Sequence, residues 1–213
     1  MARIDPEPAR RAARLYLMTP PLDGATDAWA EALDAVRAAG DVAAVLVRLS
    51  LDGAPGRDER LAAFVGACQV LGVACLVAGD AVAAIAAAAD GAHLDGVAAL
   101  RSALPALRPD RIAGVGGLRT KHDAMTAAEA GADYVMIGEP DGDDRRPPFA
   151  ATLERVEWWS QLFETPCVGY AGSLEEVAQL SAAGADFVAI GTPLALEAGA
   201  DRVAAQLAAG VAG

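Results

Sequence analysis

Short apolar runs alternate along this chain with longer stretches in which apolar residues recur every three or four positions. The runs at residues 15–19, 42–49, 74–78, 91–95, 111–116, 132–138, 166–170 and 186–191 predict eight strands. The periodic stretches at 26–39, 58–71, 80–89, 97–104, 121–130, 151–163, 174–183 and near 200–210 predict a helix after each strand. Several runs are continuous rather than alternating, as in Phe187-Val-Ala-Ile190, which is the pattern of a strand covered on both faces. Strict alternation of strand and helix favours an α/β fold of the closed (β/α)8 TIM-barrel type, in a single domain over residues 1–213. An open doubly wound sheet is the alternative architecture; the brevity of the units and the lack of an opening G-x-G-x-x-G argue against it.

A repeat supports the barrel. Gly131-Ala-Asp-Tyr-Val-Met-Ile-Gly138 recurs as Gly184-Ala-Asp-Phe-Val-Ala-Ile-Gly191, and Asp90-Gly-Ala-His-Leu-Asp95 is a fainter copy. The second copy closes a strand–helix–strand unit over residues 165–194, in which Ser173-Leu-Glu-Glu176 reads as a capping box. Both of its strands end in glycine. Gly172 and Ser173 at one turn, with Gly191 and Thr192 at the next, therefore form a candidate phosphate cradle: bare backbone N–H groups in the positive field of a helix start. The plainer alternative is that Gly172 ends a strand tightly and Ser173 caps a helix.

Charge narrows the partners. A net charge of -12 argues against nucleic acid and against an anionic membrane surface, so an anionic ligand needs a local site. The alanine-rich run 81–89 is too short to span a bilayer and is bounded by Asp80 and Asp90. The polar start and the basic Arg10-Arg11-Ala-Ala-Arg14 give no signal-peptide pattern, and the expected address is cytoplasmic. Cys68, Cys75 and Cys167 have no metal-ligand spacing and read as small apolar residues.

Position along the strands then selects candidate chemistry. Arg48, near the mouth end of the second strand, suits an anion ligand. His93 reads as a hydrogen-bonded core residue and His122 as the exposed first turn of a helix capped by Thr120-Lys-His-Asp123. The segment 139–148 follows strand six, where a mobile active-site loop is expected, and it carries Arg145 and Arg146 beside Asp141, Asp143 and Asp144. As a lid, it would bring Arg145 or Arg146 onto a ligand anion held near Arg48. On the helix 151–163, Leu153, Val156, Trp159 and Phe163 share the inward side, which leaves Trp158 and Leu162 for a homo-oligomer contact.

Leu15-Tyr-Leu-Met-Thr19, Ala89-Asp-Gly-Ala-His-Leu94 and the two Gly-Ala-Asp segments resemble thiamine phosphate synthase and its thiazole tautomerase relatives, over nearly the whole chain. The resemblance implies a (β/α)8 barrel that joins a hydroxymethylpyrimidine pyrophosphate to a thiazole phosphate. It implies Mg2+ on the leaving pyrophosphate and the thiazole phosphate, a phosphorylated small molecule, at Ala171-Gly172-Ser173 and Gly191-Thr192. On the pyrophosphate side the chain departs from the family pattern. Of the family's Gln-x-Arg-x-Lys only Arg48 remains, with Ser50 in the lysine position. Ala78 and Gly79 stand where the family has Asn-Asp, with Asp80 just beyond as the candidate metal ligand, and Ala98 replaces a further acid. Gly116 replaces the strand-five serine, Leu118 the tautomerase histidine, and Arg146 falls roughly at the strand-six lysine. The expected catalytic pair is thus Arg48 and Arg146, with the family chemistry weakened or changed. Two alternatives stay open: a non-catalytic phosphometabolite-binding or regulatory protein, and another lyase or isomerase on the same scaffold.

Overall fold

A computed structural model of the chain describes residues 12–22, 26–50 and 55–210. The start at 1–11, read above for targeting, and the ends of the single domain expected over 1–213 lie outside the described residues. Eight parallel strands close into a barrel in chain order: β1 (Arg14–Leu22), β2 (Val42–Leu49), β3 (Ala74–Ala78), β4 (Gly91–Asp95), β5 (Ile112–Gly116), β6 (Tyr134–Ile137), β7 (Cys167–Tyr170) and β8 (Phe187–Gly191). Strand β8 returns to β1 with Val188 beside Leu15 and Ile190 beside Leu17, so the described sheet has no open edge.

The connecting helices are α1 (Thr26–Ala38), α2 (Arg57–Val70), α3 (Ala81–Ala86), α4 (Gly96–Leu107), α5 (Lys121–Glu129), α6 (Phe149–Leu162) and α7 (Leu174–Ala183). Two helices rather than one follow β8. The short α8 (Thr192–Ala198) precedes α9 (Ala200–Ala209), with Gly199 at the break between them. Strand β1 runs three residues past its expected end at Thr19, through Pro20 and Pro21 to Leu22. Proline's fixed φ suits an extended backbone, and the pairing with β2 shifts register there.

Alternation along the strands builds two cores. Leu15 and Leu17 of β1 face outward and pack with Trp29, Val36, Val188 and Ile190 between barrel and helices. Tyr16 and Met18 face inward and fill the barrel with Leu46, Leu76, Met136 and Val168. Each fully buried leucine contributes about 1.5–3 kcal/mol.

The Gly-Ala-Asp repeat has a structural role that its sequence did not disclose. At the start of each repeated strand an aspartate accepts the N–H of a residue at the start of the preceding strand: Asp90 from Cys75 (2.8 Å), Asp133 from Ala113 (2.7 Å) and Asp186 from Cys167 (2.8 Å). These three carboxylates satisfy donors at the end of the barrel opposite the mouth. Asp90→Ala should lower unfolding stability by about 1–3 kcal/mol, because it leaves the buried Cys75 N–H without its acceptor. An unchanged urea midpoint would show that water replaces the carboxylate.

Candidate functional site

The C-terminal ends of the strands gather most of the expected anion-binding residues round one cleft of about 450 Å³. Arg48, Arg146, Gly172 and Gly191 line it, together with Tyr170 and Asp144. These come from β2, the β6–α6 loop, β7 and β8, segments scattered over most of the chain.

Arg48 is held from both of its ends. Its backbone N–H donates to Thr19 Oγ1 (3.1 Å) and its side-chain Nε to the Thr19 carbonyl (2.8 Å). Thr19 is fully buried, so the guanidinium leaves the barrel rim at a set angle, and its Nη1 lies 3.7 Å from Asp144 Oδ1. Asp144 is largely exposed, and such a pair contributes little stability of its own.

Arg146 makes the stronger contact. Its Nη1 donates to Glu176 Oε2 (2.6 Å) and its Nη2 to Oε1 (2.8 Å), a two-pronged ion pair. Glu176 Oε2 also accepts the Gly172 N–H at 2.6 Å. Burial alone would raise the Glu176 carboxyl, but the Arg146 guanidinium and the Gly172 N–H outweigh it and hold the group below the usual range. Glycine at residue 172 leaves room for this approach: a Cβ there would stand 2.9 Å from the Arg146 guanidinium carbon and make the end of that side chain give way. Arg145, the other candidate lid residue, folds back on its own loop onto Asp141 and Asp143.

The expected capping box is only half formed. Ser173 Oγ accepts the Glu176 N–H (3.3 Å), yet the Glu176 carboxylate goes to Gly172 and Arg146 rather than back to Ser173. A guanidinium offers two charge-assisted bonds where the cap N–H offers one neutral bond. Ser173 is therefore committed to the helix start. Thr192 is buried as the first residue of α8, and Gly191, Pro193 and Leu194 supply the cleft wall there.

Asp80 stands apart from the cleft. Its Oδ1 accepts the Ala83 N–H (2.8 Å) as the cap of α3, and it lines a separate groove with Arg57 and Asp58. Among the described residues no three His, Cys, Asp or Glu side chains converge as a metal site. Mg2+ usually takes one or two carboxylates along with phosphate oxygens and water. A single capping carboxylate outside the cleft does not fit a resident ion.

Beside the cleft, a polar chain crosses the barrel interior. The Tyr16 and Tyr134 hydroxyls share a hydrogen bond of 2.8 Å, and Tyr134 shares another of 2.9 Å with His93 Nδ1. His93 and Tyr134 also stack, with ring centroids 5.7 Å apart. Burial lowers the His93 pKa to about 4 and raises both tyrosines, so the chain is neutral near pH 7. Glu139, the first residue after Gly138 at the end of β6, accepts the Gly117 N–H (2.6 Å). Burial pushes its carboxyl above the usual range, against the pull of Gly117 and Arg155. Gly116 leaves space that a Cβ would fill, since it would strike both the Glu139 carboxylate and His93 Nε2.

Sequence reading missed Glu139, Tyr134 and the second role of Glu176. An acid directly after a strand's terminal glycine, in Gly138-Glu-Pro140, was an available signal for the first. The capping motif hid the last, because Glu176 satisfies a familiar local pattern while serving a distant arginine.

Away from the mouth, Trp158 is half buried against Trp159 and Phe163 and lies under the Lys121 ammonium, 4.8 Å from its ring centroid. Leu162 is 63% exposed. The Thr120–Asp123 capping box is complete, and the three cysteines are buried and outside any disulfide. No helix among the described residues is long and apolar enough to cross a membrane.

Comparison with known proteins agrees with this fold. The family model described as thiamine monophosphate synthase matches residues 15–194. A thiamine-phosphate synthase of Hyphomonas neptunium is 37% identical over 185 residues, covering 83% of each chain. One from Rhodospirillum centenum is also 37% identical, over 83% of this chain and 86% of that one. Among solved structures, a thiamine phosphate pyrophosphorylase from Pyrococcus furiosus superposes with a TM-score of 0.71 at 20% identity, covering 94% of this chain and 97% of that one, which shows the shared fold.

Proposed function

The chain belongs to the thiamine monophosphate synthase family, and from that premise we propose that it joins a pyrimidine pyrophosphate to a thiazole phosphate in thiamine biosynthesis. The observation that carries this reading is the convergence of Arg48, Arg146, Gly172 and Gly191 on one cleft at the barrel mouth. Gly172 and Gly191 receive the phosphate of the thiazole partner, because both are bare backbone at strand ends. Arg48 supplies positive charge to the group that leaves, and Arg146, which stands against Gly172, carries that charge across to the cradle; both matter most as negative charge develops in the transition state. Arg48 is prepared for this by Thr19, whose carbonyl sets the direction of its guanidinium.

The family implies Mg2+, which would neutralise a departing pyrophosphate. The donor set described above does not hold the ion by itself, and each role assigned here is carried by the protein's own groups. In the same reading the β6–α6 loop acts as a lid, with Arg146 as its working charge, since Arg146 lines the cleft whereas Arg145 folds back on its own loop.

The test is a reaction assay with both precursors, coupled to calorimetric titration of each. Turnover supports the synthase, whereas tight binding without turnover supports the phosphometabolite binder. Arg48→Ala and Arg146→Ala should each lower kcat/KM by about a hundredfold, the scale for loss of one transition-state donor. Unchanged kinetics in both variants would remove the two arginines from the mechanism.

A further inference from the structure

Both arginines of the cleft are already matched by carboxylates of the chain itself. Arg146 is gripped in two-pronged fashion by Glu176, and Arg48 faces Asp144. The Glu176 contact is the closer and the more enclosed: its side chain is 13% exposed, against 82% for Asp144. More telling is where the carboxylate sits. It takes the Gly172 N–H, the donor on which the phosphate cradle depends, and at the same time fills the fork of the arginine beside it. A ligand phosphate seeking the same two donors meets an internal anion in their place.

We propose that Glu176 determines the specificity of this site: its carboxylate holds the anion position in the free protein, and a dianionic phosphate monoester is the class of ligand group that displaces it. This inference rests on the phosphate-binding reading given above and adds a selection rule to it. A singly charged group, such as a carboxylate or a phosphodiester, would exchange one unit of charge at Arg146 for another and leave Glu176 without its partners. A phosphate monoester carries about -1.5 to -2 at neutral pH and presents three terminal oxygens. It can therefore take over both contacts of the carboxylate, at Arg146 and the Gly172 N–H, and still present a third oxygen to the cleft, which one carboxylate cannot. The charged groups round the exchange are Arg146 and Asp144 of the β6–α6 loop, Arg48 of β2 and Glu176 itself, with the neutral hydroxyl of Tyr170 of β7 beside them.

The proposal is tested by calorimetry on the full chain with methyl phosphate, dimethyl phosphate and acetate as probes, in the wild type and in Glu176→Gln. The wild type should prefer methyl phosphate to either singly charged probe by at least about tenfold, equivalent to about 1.4 kcal/mol. Its affinity should fall as the pH drops below about 6, where the monoester loses its second charge. Glu176→Gln should bind every probe more tightly and lose most of the preference. A second measurement needs no variant: carboxyl NMR of Glu176 should show its pKa returning to the ordinary carboxylate range when methyl phosphate saturates the wild type.

If Glu176→Gln binds no more tightly and the Glu176 pKa does not move, while Gly172→Asp still abolishes binding, the cradle stands and the displacement proposal fails. If Gly172→Asp leaves binding intact, the phosphate-binding reading itself fails and this inference falls with it.

Discussion

Gly172→Asp abolishes phosphate binding and leaves the barrel folded. The first half of this expected result follows from close approach. With the Arg146 guanidinium carbon 2.9 Å from where a Cβ would stand, a side chain at residue 172 makes the flexible end of the arginine give way. An aspartate adds a second carboxylate beside Glu176 and can pair with whatever part of Arg146 stays within reach. The site then loses both its charge and its room. A charge-assisted hydrogen bond contributes about 1.5–3 kcal/mol, so loss of the arginine alone weakens binding by roughly ten- to a hundredfold, and repulsion adds to that. The second half follows from exposure: Gly172 lies at the surface of the mouth, and no buried apolar contact depends on it. Calorimetric titration with inorganic phosphate measures the first effect and thermal unfolding the second. Unchanged affinity would exclude the β7 turn as the phosphate site.

The unfolding free energy also falls on mild acidification, and His93 is responsible for a separable part of the fall. Burial lowers its pKa from 6.5 in the free side chain to about 4 in the barrel. Between these values the unfolded chain binds a proton at this position that the folded chain does not, so stability decreases as the pH is lowered. The contribution is fully present above about pH 6.5 and is lost progressively towards pH 4. At about 1.4 kcal/mol per pH unit the loss approaches 3 kcal/mol. The Glu139 carboxyl acts in the opposite direction. Its raised pKa gives stability that is present below the ordinary carboxylate range and lost as the pH rises through the folded value, so it offsets part of the His93 effect. The clean measurement is therefore a difference. Urea unfolding of the wild type and of His93→Gln from about pH 7 to about pH 4 should give a steeper decline for the wild type, because glutamine keeps a polar contact for Tyr134 and does not titrate. Parallel declines would mean that His93 is protonated inside the folded barrel.

The barrel was legible in the sequence because its cause is local and repeated. Eight apolar runs, each followed by a three-to-four-residue period, leave a parallel sheet wrapped by helices as the simplest way to bury both patterns. Its departures from expectation are small and also local, such as the run of β1 through Pro20 and Pro21 and the break at Gly199 that divides the last helical stretch. The two glycines of the cleft were legible to the same degree. Gly172 and Gly191 both reach the cleft, as glycines at the ends of adjacent strands must when those strands pair in register, whereas Ser173 is committed to its helix and Thr192 to the start of the unexpected α8.

Sequence position could not show how charge is partnered across the mouth. Residue types and spacing placed Arg48, Arg146 and Asp80 at strand ends or in loops, but a side chain's partner depends on elements that meet only in three dimensions. Arg146 finds Glu176 across 30 residues, Arg48 is anchored by Thr19 across 29, and His93 reaches Tyr134 across 41. Asp80, by contrast, found a donor three residues away and was kept by its own helix. By itself the sequence determined the fold class, the strand order and the glycines that open the cleft, since these rest on the periodic burial of apolar surface. Only the tertiary structure decided which carboxylate faces which arginine, because charges separate in sequence become neighbours when the strands that carry them close into a ring.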